Sequence, residues 1–248
     1  MKIYLAAADT MSEDIIRLLP VAKRLHWNLF SYYYLLTLKK MEDYEIIRKA
    51  SKSVLIDSGA HSFQKGKKVD WDRFTKQYAD FIQETDNEKV HGYFEMDVDN
   101  LLGYDKVLEL RSVMEEVTDK VIPVWHKNRG IKDFKQMCED YRFVSISGWR
   151  NEDVKDDQFI HFVNYAHRHE CRIHGLGLTR KKVLDKVPFD SVDSSSWLQT
   201  ILYARLGQQK LDSKFATERR GDLAVLSYIK WMKTQEEYYK KWRYYFDR

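Results

Sequence analysis

The segment Leu55-Ile56-Asp57-Ser58-Gly59-Ala60-His61-Ser62-Phe63 has the form of a buried strand that ends in an acid and breaks into small residues. A carboxyl group at such an end can give and take protons. Gly59 and Ala60 let a planar ligand approach the backbone, and Ser58 can donate to a ring heteroatom. A second segment, Phe189-Asp190-Ser191-Val192-Asp193-Ser194-Ser195-Ser196-Trp197, sets two acids three residues apart ahead of three serines. Side chains alternate along a strand, so Asp190 and Asp193 face opposite ways. Asp193, at the strand's end, is the reactive candidate. A third segment, Tyr93-Phe94-Glu95-Met96-Asp97-Val98-Asp99-Asn100, adds Asp97. Its carboxylates would suit Mg²⁺, but the signatures of metal-dependent barrel hydrolases are missing, so neither metal nor cofactor is expected.

These acids close apolar runs that recur through the chain. Eight strand-like runs fall at residues 2–7, 27–33, 53–57, 92–97, 121–125, 143–147, 172–176 and 189–193, with helical patterns between them at 71–84, 104–118, 158–169 and 180–186. Eight strands alternating with helices predict a closed parallel (β/α)8 barrel of the TIM type; an open doubly wound sheet is the alternative, and the count favours closure. A barrel gathers the carboxyl ends of its strands at one mouth. Asp57, Asp97, His126, Ser147 before Gly148, Gly175, Gly177 and Asp193 would all meet there. Residues 1–197 are assigned to the barrel and 198–248 to C-terminal helices packed on it, the last rich in Trp, Tyr and Lys.

A 248-residue chain with 44% hydrophobic residues fills one sizeable core, and 3 prolines and 10 glycines argue against soft linkers. The net charge is only +4, so phosphate recognition must come from local clusters. Lys65-Gly66-Lys67-Lys68, Lys127-Asn128-Arg129 and Arg180-Lys181-Lys182 each follow a strand and would rim the mouth. Lys67, Lys68, Lys127, Arg129, Arg180 and Lys181 are the expected contacts to a nucleic-acid backbone. The two cysteines, Cys138 and Cys171, have no zinc or disulfide spacing, which predicts a reducing cytoplasm. No apolar run is long enough to span a membrane.

Asp57-Ser58-Gly59-Ala60, Met96-Asp97, Val124-Trp125-His126, Ser147-Gly148-Trp149, His174-Gly175-Leu176-Gly177 and Asp190-Ser191-Val192-Asp193 follow the order of the barrel motifs of tRNA-guanine transglycosylases, which this sequence resembles from about Leu55 to Trp197. It is still more similar to their shorter phage relatives, which resemble the DNA 7-deazaguanine transglycosylases (the DpdA group). The resemblance implies Asp193 as the nucleophile that attacks the sugar C1′ and expels guanine, Asp57 as the group that moves protons on leaving and entering bases, and Asp97 as the reader of the guanine edge. It places Ser58, His126 and Gly148 at the base pocket, with Gly59, Gly175 and Gly177 beside them. Trp125, Trp149 and Trp197 are candidates for stacking and for sealing the pocket. A phage-encoded protein of this kind would work in the host cytoplasm.

Retaining glycosyl transfer needs such a set: a carboxylate nucleophile, a second group that alternates between acid and base, and exclusion of water. Departures from the family bear on the substrate. The zinc-binding Cys/Cys/Cys/His set that follows the nucleophile strand in full-length tRNA enzymes is missing, and Gly59-Ala60-His61-Ser62 and Trp125-His126-Lys127 stand where the family has Gly-Gly-Phe-Gln and Gln-Gly-Gly. These favour DNA over tRNA as the polymer, with a 7-deazapurine as the incoming base. An N-glycosidase or nucleoside hydrolase using the same acids, and a non-catalytic nucleic-acid-binding barrel, are the competing expectations. A homodimer or a partner protein that supplies substrate contacts stays open.

Overall fold

The computed structural model describes residues 1–63, 69–147, 154–206, 209–210 and 212–245. Nine parallel segments form one sheet: β1 (Lys2–Leu5), β2 (Leu25–Ser31), β3 (Ser51–Asp57), β4 (Val90–Phe94), β5 (Val121–Ile122), β6 (Val124–Trp125), β7 (Phe143–Ser147), β8 (Arg172–Leu176) and β9 (Ser191–Ser194). Their order is β5-β4-β3-β2-β1-β9-β8-β7-β6, so the two ends of the list are β5 and β6. Those two are halves of one extended stretch interrupted by Pro123, which has no N–H to give to a ladder. On one side Glu95 N–H donates to Ile122 O at 3.2 Å; on the other Ser145 N–H donates to Pro123 O at 2.8 Å. The sheet therefore closes through the proline into an eight-stranded TIM-type α/β barrel, as the strand count predicts.

Alternation along each strand divides the apolar residues into two cores. Tyr4, Trp27, Leu29, Leu55, Phe94, Ile122, Val124 and Phe143 fill the inside of the barrel. Val54, Ile56, Val144, Ile146, Ile173 and Val192 face outward and pack with the helices. This parity aims the chemistry. Asp57 lies two residues beyond inward-facing Leu55, His126 two beyond Val124, and Asp193 one beyond outward-facing Val192.

Between β1 and β2 the ladder is thin, with Leu5 and Asn28 as its register pair. The helix Arg220–Trp242 covers that seam. Its Gln235, fully buried, donates through Nε2 to Ile3 O at 2.8 Å and to Trp27 O at 2.7 Å, and Tyr228 OH donates to Asn28 Oδ1 at 2.7 Å. Side-chain amide protons thus stand in for missing ladder bonds. The aromatic end of this helix is packing: Trp242 Nε1 donates to Leu184 O at 2.9 Å, and Tyr239 lies against Trp27.

Several elements differ from expectation: the strand expected at 27–33 runs Leu25–Ser31, that at 92–97 runs Val90–Phe94, and the helix expected at 180–186 is confined to Lys181–Leu184. The strand expected at 2–7 ends at Leu5, because Ala7 adopts φ +61 and turns the chain. The pattern at 197–206 predicts a helix, but only Gln199–Leu202 forms one; Ala204 turns left-handed at φ +47 into a short hairpin, Arg205–Leu206 with Gln209–Lys210. No helix among the described residues is long and apolar enough to cross a membrane.

Candidate active site

Asp193 sits on β9 facing inward, 8% exposed. Its Oδ1 accepts the Gly177 N–H at 2.5 Å and lies 3.2 Å from His174 Nε2. Gly177 has φ +63, a left-handed conformation that glycine adopts without strain, and this turn points its N–H at the carboxylate. His174, fully buried on β8, also reaches Ser191 Oγ through Nδ1 at 2.8 Å. A carboxylate only accepts, so Nε2–H donates to Asp193, and a neutral ring then takes the Ser191 hydroxyl proton at Nδ1. One oxygen of Asp193 is thereby fixed by two donors and the other is left for a ligand.

Asp57 ends β3 at the same mouth. Gly59 N–H donates to its Oδ2 at 3.0 Å, and Gly59 is held at φ +76 with no room for a side chain: a Cβ would meet Tyr33 Cβ at 2.4 Å. Burial pushes the Asp57 carboxyl up to about 7; the charges of Asp193, Asp97 and Asp9 add to this, and the Gly59 hydrogen bond only partly offsets it. Near neutral pH the group is thus divided between its acid and base forms.

Asp97 and His126 form a pair, Oδ1 to Nε2 at 2.8 Å. Burial opposes charge on the His126 ring, but the hydrogen bond and charge of Asp97, with Asp99 nearby, outweigh it and raise its basicity. Behind the pair lies a buried network. Arg129 contacts Asp99 Oδ2 at 3.2 Å and Glu95 Oε1 at 3.3 Å, and Arg111 contacts Glu95 Oε2 at 2.6 Å. Among the described residues Asp97, Asp99 and His126 are the group able to bring three ligand atoms within 4.8 Å of one another. Asp97 Oδ1 and His126 Nε2 are spent on each other and Asp99 Oδ2 on Arg129, whereas buried Asp99 Oδ1 has no partner; the three carboxylates of Glu95, Asp97 and Asp99 already face two guanidinium groups and a readily protonated imidazole. A dication would have to displace that balance.

Two residues join the site that sequence reasoning passed over. Asp9, 1% exposed, accepts Ser31 N–H on Oδ2 at 2.8 Å while its Oδ1 has no partner, and burial lifts its carboxyl to about 6. It follows the apolar run Ile3–Ala8 as the other acids follow theirs, so its signal was present. His174 had none beyond its place in a strand.

Several expected pocket residues lie elsewhere. Trp125 faces outward and packs against Phe134 and Phe162, with Nε1 donating to Gly130 O at 2.9 Å. Trp197 is fully buried, its Nε1 on Ala6 O at 2.8 Å and its ring against Tyr228, so neither indole can stack on a ligand in the mouth. Ser58 is buried and spends its hydroxyl on Glu95 O at 3.0 Å. Gly175 is close-packed toward the helices, where a Cβ would meet Leu178 and Val192. Arg129 is no rim cation, since its charge is held inside by Glu95 and Asp99. Lys127 is exposed; Arg180 is tied to Asp156 at 2.7 Å and Lys181 to Asp185 at 2.6 Å. Lys67, Lys68, Gly148 and Trp149 lie outside the described residues.

Fold and mouth together define the class: a TIM-type barrel with a cluster of carboxyl groups where its strands end. No protein-family model and no curated protein matches the chain. Solved structures do. A protein assigned as a fructose-1,6-biphosphate aldolase from Coccidioides immitis aligns with TM-score 0.57 at 10% identity, over 98% of this chain and 92% of that one. Orotidine 5′-monophosphate decarboxylase from Methanocaldococcus jannaschii aligns with TM-score 0.44 at 12% identity, over 90% and 98%. At such identity the likeness of the first is one of fold alone.

Proposed function

We propose that the protein is a nucleic-acid base-exchange transglycosylase that replaces guanine in DNA with a 7-deazaguanine derivative. The observation that carries this reading is the pairing of a fixed carboxylate, Asp193, with a carboxyl group that titrates near neutrality, Asp57, at one barrel mouth. In the first half-reaction the free oxygen of Asp193 attacks C1′ and the C1′–N9 bond breaks, its electrons going to the base. Asp57 delivers the proton that lets guanine leave neutral. In the second half the incoming base attacks C1′, its N9 proton passes to Asp57, and the Asp193 ester bond breaks. Both displacements invert, so the sugar keeps its configuration.

Asp97, oriented by His126, keeps an oxygen to accept from the N–H and NH₂ edge of a guanine-like base. Within a duplex the target nucleotide must be swung out to reach the mouth, where exposed Lys127 is placed to meet phosphate.

The test is incubation with duplex DNA or bulk tRNA and labelled guanine or 7-deazaguanine, with Asp193→Asn as control. Incorporation into DNA that vanishes in the variant is expected. Incorporation only into tRNA would move the substrate to that polymer. Release of guanine with no incorporation would replace base exchange by hydrolysis, and silence in every arm would refute the catalytic reading.

A further inference from the structure

Several basic groups gather at the opposite end of the barrel from the mouth, where the strands begin. A cleft of about 380 Å³ opens there, lined by His91, Lys120, Arg142, Phe143 and Arg172. Arg172 opens β8 and Phe143 opens β7, paired in register, and the guanidinium lies over the phenyl ring at 4.6 Å. Lys2 opens β1 nearby. Lys120 is bound to Asp86 at 2.7 Å. Among the described residues, however, Lys2, Arg142 and Arg172 have no carboxylate within 4.0 Å. Arg142 and Arg172 are exposed, unlike the buried Arg111 and Arg129, which are matched by Glu95 and Asp99. Two acids share the cleft wall, Asp119 and Asp140; both are exposed, and Asp140 accepts from Gln136 Nε2 at 3.0 Å.

The neighbouring basic groups register this imbalance. Burial lowers the His91 ring to about 4, and Lys2, Arg172 and Lys120 lower it further. Burial and Arg172 also depress Lys2, against the opposing charge of Asp190. The cations thus crowd one another and keep a histidine neutral between them.

We propose that this N-terminal face carries an anion site that takes a phosphate group, gripped by Arg142 and Arg172 and closed by Lys120 and His91. Guanidinium forks match phosphate oxygens in pairs, and a ring under one fork holds it in place. The volume admits a phosphate with its waters or a phosphomonoester such as a nucleotide. The site lies at the other end of the barrel from Asp57 and Asp193, so it does not rest on the reading of the mouth.

The full chain is titrated at low ionic strength with inorganic phosphate and, separately, with guanosine 5′-monophosphate, by calorimetry and by the histidine ring signals in NMR. Saturable binding of one anion per chain, with the His91 signal moving, is expected. Arg142→Gln and Arg172→Gln should each weaken it on the order of tenfold, as loss of a charge-assisted contact does, while Asp57→Asn leaves it unchanged. Tighter binding of the nucleotide would assign a phosphomonoester; equal binding would assign the free ion. Both arginines are exposed, so near-ultraviolet circular dichroism should show both variants folded, and Arg172→Lys should retain part of the affinity. No saturable isotherm, binding undiminished in both arginine variants, or binding lost with Asp57→Asn would overturn the proposal.

Discussion

Replacing Asp57 by asparagine should stabilise the folded protein, and only toward higher pH. In the unfolded chain this carboxyl ionises near its ordinary 3.8, whereas in the fold it keeps its proton up to about 7. Below the lower value both states are protonated, and the group favours neither. As pH rises between the two, the unfolded state releases its proton first, and folding is increasingly disfavoured until the penalty is complete above the higher value. The gap corresponds to about 4 kcal/mol. Asparagine keeps the side chain's size and an oxygen for the Gly59 N–H, and it removes the charge that burial and the surrounding acids oppose. Asp57→Asn should therefore gain about 3–4 kcal/mol near pH 8 and nothing near pH 4. For 248 residues this is a rise in Tm of about 6 °C at the higher pH. Urea unfolding of both proteins across that range gives the difference directly. A difference that stays flat with pH, or a variant less stable near pH 8, would refute the reasoning. The same substitution should abolish base exchange, the stability–activity conflict expected of a strained functional group.

His174 is a positioning residue for Asp193: His174→Leu should lower kcat by about 10- to 100-fold with little change in KM. His174→Gln, whose amide can still donate to the carboxylate, should recover part of the loss; a structural role alone would lower stability equally in both and spare kcat. Gln235→Leu leaves the Ile3 and Trp27 carbonyls unpaired beneath the C-terminal helix and should cost about 2–4 kcal/mol in urea unfolding. Arg129→Met strands the buried Asp99 and leaves Glu95 to Arg111 alone and should cost about 3–5 kcal/mol. It should leave the salt dependence of DNA affinity unchanged, whereas Lys127→Ala should reduce that slope by about one.

The barrel was legible because its strands are apolar runs of regular length, and the residue types that end them stand out. Asp57, Asp97, His126 and Asp193 needed only the rule that a barrel gathers strand ends. What the chain does not display is which way a side chain points one residue past a strand. Trp125 and His126 are adjacent, yet one packs with the helices and the other faces the mouth. Register decides between them, and register is a property of all eight strands together. Arg129 misled for a different reason. A basic triplet after a strand looks solvated, and nothing local reveals that Glu95 and Asp99 stand 34 and 30 residues away to bury it. His174 was hidden in the same way, since its importance comes from Ser191 and Asp193 on the next strand.

The acids at the mouth pose a problem for any polyanionic substrate, because carboxylates repel phosphate and, among the described residues, Arg129, Arg180 and Lys181 are already held by carboxylates. The proton on Asp57 addresses both ends of that problem. With Asp57 protonated the mouth carries one negative charge fewer, and under the proposed reaction a nucleotide would enter with the proton ready for the leaving base. In the proposed base exchange, once that base has gone, the ionised Asp57 would lie near the Asp193 ester and would favour an incoming N–H donor that can return the proton. Asp9 shares in this through its field at Asp57, although it lies buried against the Ser31 backbone. Asp9→Asn should shift the alkaline limb of the base-release profile, where Asp57 loses the proton it must deliver, to lower pH, because one of the charges that raise Asp57 is gone. An unmoved limb would mean that burial alone sets the proton affinity of Asp57, and that Asp9 serves only to hold the β1 and β2 ends together.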